Sequence, residues 1–458
     1  MPTLKYYRCG RNPLRTTVLL TLVLTSLGLV YGPATGPARA AAPAAGSPAA
    51  GSPAPQAVYR QLVVDETRWD STAVNRTRST VSDPLRKGTF GAGQQAVFDD
   101  YYLTYVLARW SLVKERAQLP RFRQELERDF LTAAKASNPA VFHHLNDLVL
   151  SFLAVLAKPN PVDNDFVTGW AGRDAISQEL QQLFAEKVKF QAAPAAGDCH
   201  PAVRINAILM IGRLNASLPA RLSDPPAPLP AALDKVLLPA LTDPNQIDGV
   251  RAVALVGILR HARLKAIAAP NDARVRSEML KILAAKNVAG RSAAGNRWFR
   301  ARAADVLGEL GPNGAVVTGL AGVIGESSPA TATAADQEGL LSVRCAAAGA
   351  LGKFNLSGAA GLNVTDLAIK LGQLAVAVCD FEDKAAEFSR GRLKGRLMAV
   401  SDALAAITPL DQAAVGRVQT PLKVLYGHVD DRRVLDEEVM EKVNEALPNL
   451  RNALTGGN

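Results

Sequence analysis

The chain has 458 residues, 48% of them hydrophobic and 21% charged, and a formal net charge of +10. This is ordinary globular material, long enough for two or three domains or one extended array. Aromatic residues make up only 5% while alanine and leucine abound, which favours closely packed helices over strands; the expected fold class is all-α.

The first residues carry Lys5, Arg8, Arg11 and Arg15, then the apolar run Thr16 to Gly32, then "PARA", in which Ala38 and Ala40 bracket Arg39. That is the layout of a secretory signal peptide over 1–40, with a mature chain beginning at or near Ala41. The competing reading is an uncleaved membrane anchor, but the run falls short of the ~20 residues that span a bilayer. Removing 1–40 takes away five basic and no acidic residues, so the charge falls from +10 to +5. What remains argues against a nucleic-acid partner, as export also does. Three cysteines stay in the mature chain, Cys199, Cys345 and Cys379. Without a C-x-x-C pair they make neither a disulfide framework nor a zinc site, although one bridge would fit an oxidising compartment.

Residues 41–57, "AAPAAGSPAAGSPAPQA", are a low-complexity Ala/Pro/Gly/Ser spacer. The stretch 58–93 reads as an arm or loop: "VYRQLVV" suits a short strand or extended arm, and "KGTFGAG" is a glycine cluster. Helical periodicity begins at Gln94 and defines an N-terminal helical region over 94–195. Asn138 and Pro139 supply a helix start there, and a further helix is expected at Arg173 to Phe190, with Ile176, Leu180, Leu183 and Phe184 on one face.

From 196 to 410 the chain repeats itself. "HPAVRINAILMIGRLN", "WFRARAADVLGELG" and "LLSVRCAAAGALGKFN" keep an arginine, an alanine and a glycine in step, and Arg204, Arg251, Arg300 and Arg344 stand 47, 49 and 44 residues apart. Three residues after each arginine comes Ala207, Ala254, Ala303 or Ala347, and seven after comes Ile211, Ile258, Leu307 or Leu351. At 100° per residue these share one face, so each segment is an amphipathic helix with a small residue at the centre of its stripe. Gly212, Gly308 and Gly352 lie off that stripe, where glycine costs a helix about 1 kcal/mol relative to alanine. That cost signals a second close contact. Partner helices are expected at Leu229–Leu241, Arg274–Lys286, Gly314–Gly325 and Val364–Cys379, with a degenerate fifth unit around Arg396 and Ala399.

The pattern V-R-x-x-A-x-x-x-[LI]-G-x-[LF] resembles the second helix of the HEAT-repeat family. The resemblance implies an α-solenoid of stacked antiparallel helix pairs that acts as a binding scaffold and needs no cofactor. In that family an aspartate often pairs with the arginine as a ladder between units; here Asp248 fits best, and Asp198, Asn296 and Asp336 are poorer substitutes.

No Walker, zincin, nucleophile-elbow or dinucleotide motif occurs. Ser111 and Lys114 match S-x-x-K, His143 and Asp147 stand at metal-compatible spacing, and Asp198-Cys199-His200 gathers three ligand types; a structural role suits each better. The feature of most functional interest lies nine residues after each repeat arginine, where Arg213, Arg260 and Lys353, interrupted by Glu309, would form a basic partner-binding ridge. Cations near helix C-termini equally complement the helix dipole. The residues 411–458 read as a C-terminal cap, with Val439, Val443, Leu447, Leu450 and Leu454 on one side of a helix.

Together these features describe an exported bacterial protein, secreted or periplasmic, that holds a protein partner or an envelope polymer. The alternative is an enzyme, a lyase or hydrolase working in a groove of the array.

Overall fold

The computed structural model describes residues 59–62, 64–159, 190–191, 198–217, 225–329, 331–356 and 362–455. The expected signal peptide and spacer lie outside them, as does the helix expected from Arg173, except that Phe190 belongs to a strand. The described chain is predominantly helical, with only two short antiparallel strand pairs. In one, β1 (Gln61–Leu62) meets β2 (Phe190–Gln191); in the other, β3 (Asn215–Ser217) meets β4 (Ala227–Pro228).

The loop expected at 58–93 is corrected by helix α1 (Ser71–Lys87). Asp70 caps its start through a 2.7 Å bond from Ala73 N, and Gly88 ends it at φ 76. Gly88 is confined to glycine twice over, by that left-handed φ and because a Cβ there would sit 2.0 Å from Asn138 O. Periodicity missed this helix because Val81, Pro84 and Leu85 are its buried residues, and the intervening positions are mainly Ser, Thr and Arg. The short strand that "VYRQLVV" allowed is present at Gln61–Leu62.

The long helical run expected from Gln94 is broken. Helix α2 (Gln94–Tyr101) widens into a π turn over Tyr102–Leu107, tightens to 3-10 at Ala108–Ser111, and is interrupted at Leu112, whose ψ of 125° is extended. Helix α3 (Leu119–Ala134) then packs with α4 (Ala140–Ala157). By length and composition α4 could cross a membrane, but its apolar side chains are largely buried here against the helix that starts at Pro201 and the preceding helices.

From α5 (Pro201–Ile211) onward the helices alternate. A helix at 230–242, α6, with a π turn at Leu233–Leu237, precedes α7 (Asp248–Arg263). Then α8 (Asn271–Ala284) precedes α9 (Ala293–Leu310), and α10 (Gly314–Ile324) precedes α11 (Ala334–Leu351). Next, α12 (Val364–Asp383) precedes α13 (Arg390–Ile407), and α14 (Gln412–Asp430) and α15 (Asp436–Leu454) follow. The expected partner helices are therefore present as helices. Side-chain caps start most of them: Ser292, Asn313, Asn363, Ser389 and Asp411 each accept from a first-turn N–H, and Thr333 with Asp336 forms a reciprocal capping box.

The second helices α5, α7, α9, α11 and α13 each pack on the next, and α7, α9, α11 and α13 also pack on the helix preceding them. The glycines sit where second helices touch. A Cβ on Gly212 would lie 3.2 Å from Gly257 Cα, one on Gly308 would lie 2.9 Å from Ala350 Cα, and one on Gly352 would lie 2.7 Å from Asp402 Cβ. Gly212 and Gly352 also end their helices, but at φ −63° and −61°, which any residue adopts. Close approach, not chain termination, explains the glycines.

The alanine stripe faces as expected, for Ala207, Ala254, Ala303 and Ala347 are fully buried. In the fifth unit the register drifts: Ala399 is half-buried and Val400 takes the core position. Ala347→Leu is expected to lower stability by about 1–3 kcal/mol through overpacking, and Ala346→Leu, on the half-exposed side, by clearly less. Thermal melts of the two variants check this, and equal shifts would contradict the facing.

Candidate functional site: the repeat arginines and the basic ridge

Three of the four repeat arginines are structural clamps; Arg204 instead meets Asp198 and Gln246. Arg251 Nε donates to Leu241 O at 2.9 Å, Arg300 Nε to Leu283 O at 2.8 Å and Arg344 Nε to Ile324 O at 2.7 Å. In each case the acceptor is at the C-terminal end of the preceding helix, where backbone carbonyls lack intrahelical partners. The arginine thus fastens the two helices of a pair at one point. Arg300 and Arg344 are buried with their guanidinium groups in this role. Arg396 substitutes a side chain for the carbonyl, reaching Glu382 at 3.4 Å.

Between units a second set of polar contacts runs along the helix starts. Asp248 receives both Nε and Nη2 of Arg291, at 2.9 and 2.7 Å, and Arg297 pairs with Asp336 at 2.8 Å. The hydrogen bonds from Arg291 hold the Asp248 carboxyl below its ordinary range, against the opposing effect of partial burial. Asn296 turns its amide to Ala285 O and Lys286 O at 2.7 and 2.8 Å instead. Asp198 meets Arg204 at 3.2 Å. Asp248 and Asp336 therefore link units: Asp248 lies 3.8 Å from Arg251, the repeat arginine three residues on, but its closer partner is Arg291, and Asp336 is answered by Arg297 and not by Arg344.

The basic ridge is corrected in one half. Glu309 draws in Lys353 at 2.7 Å and Lys265 at 3.4 Å, so this end is internally compensated. Burial would raise the Glu309 carboxyl, but hydrogen bonds from those two lysines hold it below the ordinary value. Arg213 and Arg260 are placed differently. Arg213 pairs with Glu127 of α3, while Arg260 donates to Gly212 O at 3.2 Å and to Asn215 Oδ1. Among the described residues Arg260 thus meets uncharged acceptors. Beside them lies Arg123 of α3, 9% exposed, which periodicity could have flagged: it occupies an apolar position in the stripe Leu119, Phe122, Leu126, Phe130.

A cleft of about 260 Å³ opens between α3, α4 and the end of α5, lined by Glu127, Phe130, Leu131, Phe142, Met210, Arg213, Leu214 and Asn215. A second, of about 500 Å³, lies between α4 and α6 and borders Lys158, Lys235, Asp243 and Gln246.

The remaining candidates have structural partners. Ser111 Oγ accepts from Leu62 N at 2.6 Å and donates to Ala108 O, whereas Lys114 pairs with Glu66, so the S-x-x-K spacing brings no lysine to the serine. It is His144, not His143, that meets a carboxylate, Asp99, at 2.5 Å. His200 Nδ1 accepts from Ala202 N at 3.1 Å, and no group of three metal-ligating side chains occurs among the described residues. Cys199, Cys345 and Cys379 are free and buried; burial pushes their thiols up to about 12, 11 and 12, respectively. The bridge that sequence allowed is not formed among them, and thiols this far from ionising are poor nucleophiles.

Comparison of the chain with protein-family models, with curated proteins and with solved structures returns no match.

Proposed function

We propose that residues 196–410 form a HEAT-like α-solenoid and that the protein is an exported, non-catalytic scaffold holding a protein partner, with an envelope polymer as the other ligand of this reading. The export claim rests on the signal-like layout of 1–40 and places the protein in a secreted or periplasmic setting. The solenoid reading is supported by equivalent arginine clamps 44–49 residues apart and by second helices that each touch the next.

The observation that carries the scaffold reading is the outer stripe of those second helices. Ile205 and Leu209 on α5, Ala252 and Val256 on α7, Trp298 and Ala301 on α9, and Ala346 and Gly349 on α11 are partly buried, most of them packed on the edge of the core, and Met398 on α13 is 46% exposed. A row of apolar residues left partly open to water on adjacent helices is the surface this reading assigns to the partner. Val256→Glu combined with Ala346→Glu places charge at two partly exposed positions of this row. Expected is an unchanged melting temperature and loss of the envelope component that the wild-type protein retains in affinity capture. Equal capture by both proteins would overturn the reading.

A further inference from the structure

The cleft beside α3 differs from the outer stripe in being both apolar and charged. Its walls are Phe130, Phe142, Met210 and Leu214, and Leu131 stands at its lip, 52% exposed. Three guanidinium groups and one carboxylate gather next to it. Arg213 has Glu127; Arg260 has a backbone carbonyl and an amide oxygen. Arg123 lies one turn before Glu127 on the same face of α3, its Nε has no hydrogen-bond partner, and no carboxylate pairs with it among the described residues.

An arginine buried without a counter-charge is destabilising unless something else supplies one. Burial and the neighbouring Arg213 lower the Arg123 pKa, against a smaller opposing effect of the Glu127 carboxylate, and burial and Arg213 act alike on Arg260. The group therefore holds two positive charges more than the described residues balance, at the edge of an apolar cleft. A volume of about 260 Å³ with an open mouth falls short of the ~300 Å³ at which small-molecule pockets begin, and suits a side chain of a larger partner.

We propose that this cleft binds an acidic peptide segment of a partner protein, seating a bulky apolar side chain against Phe130, Phe142 and Met210 while an adjacent Asp or Glu completes the Arg123, Arg213 and Arg260 group. A carboxylate fits because the guanidinium fork presents paired N–H donors to two oxygens. The inference rests on the scaffold reading and names the chemistry of one contact, away from the outer stripe.

The test is selection of a random peptide library on the full chain, followed by affinity measurement of a synthetic representative. Selected peptides are expected to carry Asp or Glu beside Leu, Phe or Met. Arg123→Met should weaken the representative about tenfold or more, as loss of a charged hydrogen-bond partner does, while leaving the melting temperature unchanged or raised because it removes an unpaired buried charge. Arg123→Lys should retain part of the affinity, and Glu127→Gln, which frees Arg213, should raise it. An empty selection, peptides without acidic residues, or equal binding by Arg123→Met and wild type would overturn the proposal. So would decanoate binding that depends on Arg123 in the absence of peptide binding, which would make this a site for small carboxylates. Retention of the captured partner by Arg123→Met, with its loss in the Val256→Glu and Ala346→Glu variant, would leave the scaffold reading standing alone.

Discussion

Glu382→Ala is expected to cost about 3–5 kcal/mol of stability, the range for breaking a buried ion pair from one side. The Glu382 side chain is 0% exposed at the end of α12. It accepts two bonds from Arg392, at 2.5 and 2.8 Å, and lies 3.4 Å from Arg396, itself only 9% exposed. Removing the carboxylate takes both short bonds from Arg392, which keeps Glu387 O at 3.0 Å, and leaves Arg396 with Glu338 at 3.5 Å and Ser342 at 3.3 Å. Two cations then share one more distant carboxylate, Glu338, at 3.7 and 3.5 Å. Because α13 is fastened to α12 at this point, the loss should loosen the C-terminal helices first. Denaturant unfolding measures the cost, and amide exchange locates it. Restoring shape without charge, with Glu382→Leu, Arg392→Met and Arg396→Met together, should recover most of the stability, since apolar replacement of a whole buried ion cluster is often neutral or better. A loss below about 1 kcal/mol in Glu382→Ala would mean that the arginines find water, and that the joint is held by packing alone.

Arg396 also shows what sequence could and could not reveal. An arginine in step with Arg344 was legible, as was the alanine stripe, because both follow from a helical period that any amphipathic repeat must keep. The role of the arginine was not legible. Its acceptor is a carbonyl on Leu241, Leu283 or Ile324, and backbone acceptors leave no trace in side-chain composition. The glycines were readable as contacts because their helix penalty needs a cause, and Ala350 and Asp402 supply it.

The Lys353 end of the ridge is compensated for a different reason. Lys353 and Glu309 occupy equivalent positions in consecutive units, so helices that stack bring opposite charges together; the alternation that looked like a gap in a basic surface is an ion pair. Helix α1 has no legible apolar stripe because its buried residues, Val81, Pro84 and Leu85, all lie in its last turns, one of them a proline. Arg123 escaped because Glu127, four residues on, looks like its salt-bridge partner on a solvated helix. Only the packing of α3 on α5 shows that Glu127 serves Arg213 instead.

Deleting residues 432–458 is expected to have the second large effect. Helix α15 buries Val439, Val443, Ala446, Leu447 and Leu450 against α14 and α12. Leu454 closes over Gly372, where an added Cβ would lie 2.5 Å from Leu454 Cδ2. The turn between α14 and α15 is held by Arg390, which donates to Val429 O, Asp431 O and Val434 O at 2.8, 2.6 and 2.8 Å and pairs with Asp436. The region expected as a cap is thus a helical hairpin, with Glu437, Glu438, Glu441 and Glu445 exposed on its second arm. Asp436, Glu437 and Glu438 in the first turn suit the positive end of the helix dipole. At ~1.5–3 kcal/mol for each large apolar side chain returned to water, removal of α15 should cost roughly 5 kcal/mol or more locally. On the solenoid reading each unit depends on its neighbours, so the cost should be paid at α12 to α14 and fade toward α5. Expected are a lower melting temperature, association through the bared face seen by light scattering, and amide protection retained in α7 and α9. A truncated chain that stays monomeric and melts with the wild type would show that α15 is not a cap. Its acidic exposed arm would then be a tail open to a basic partner.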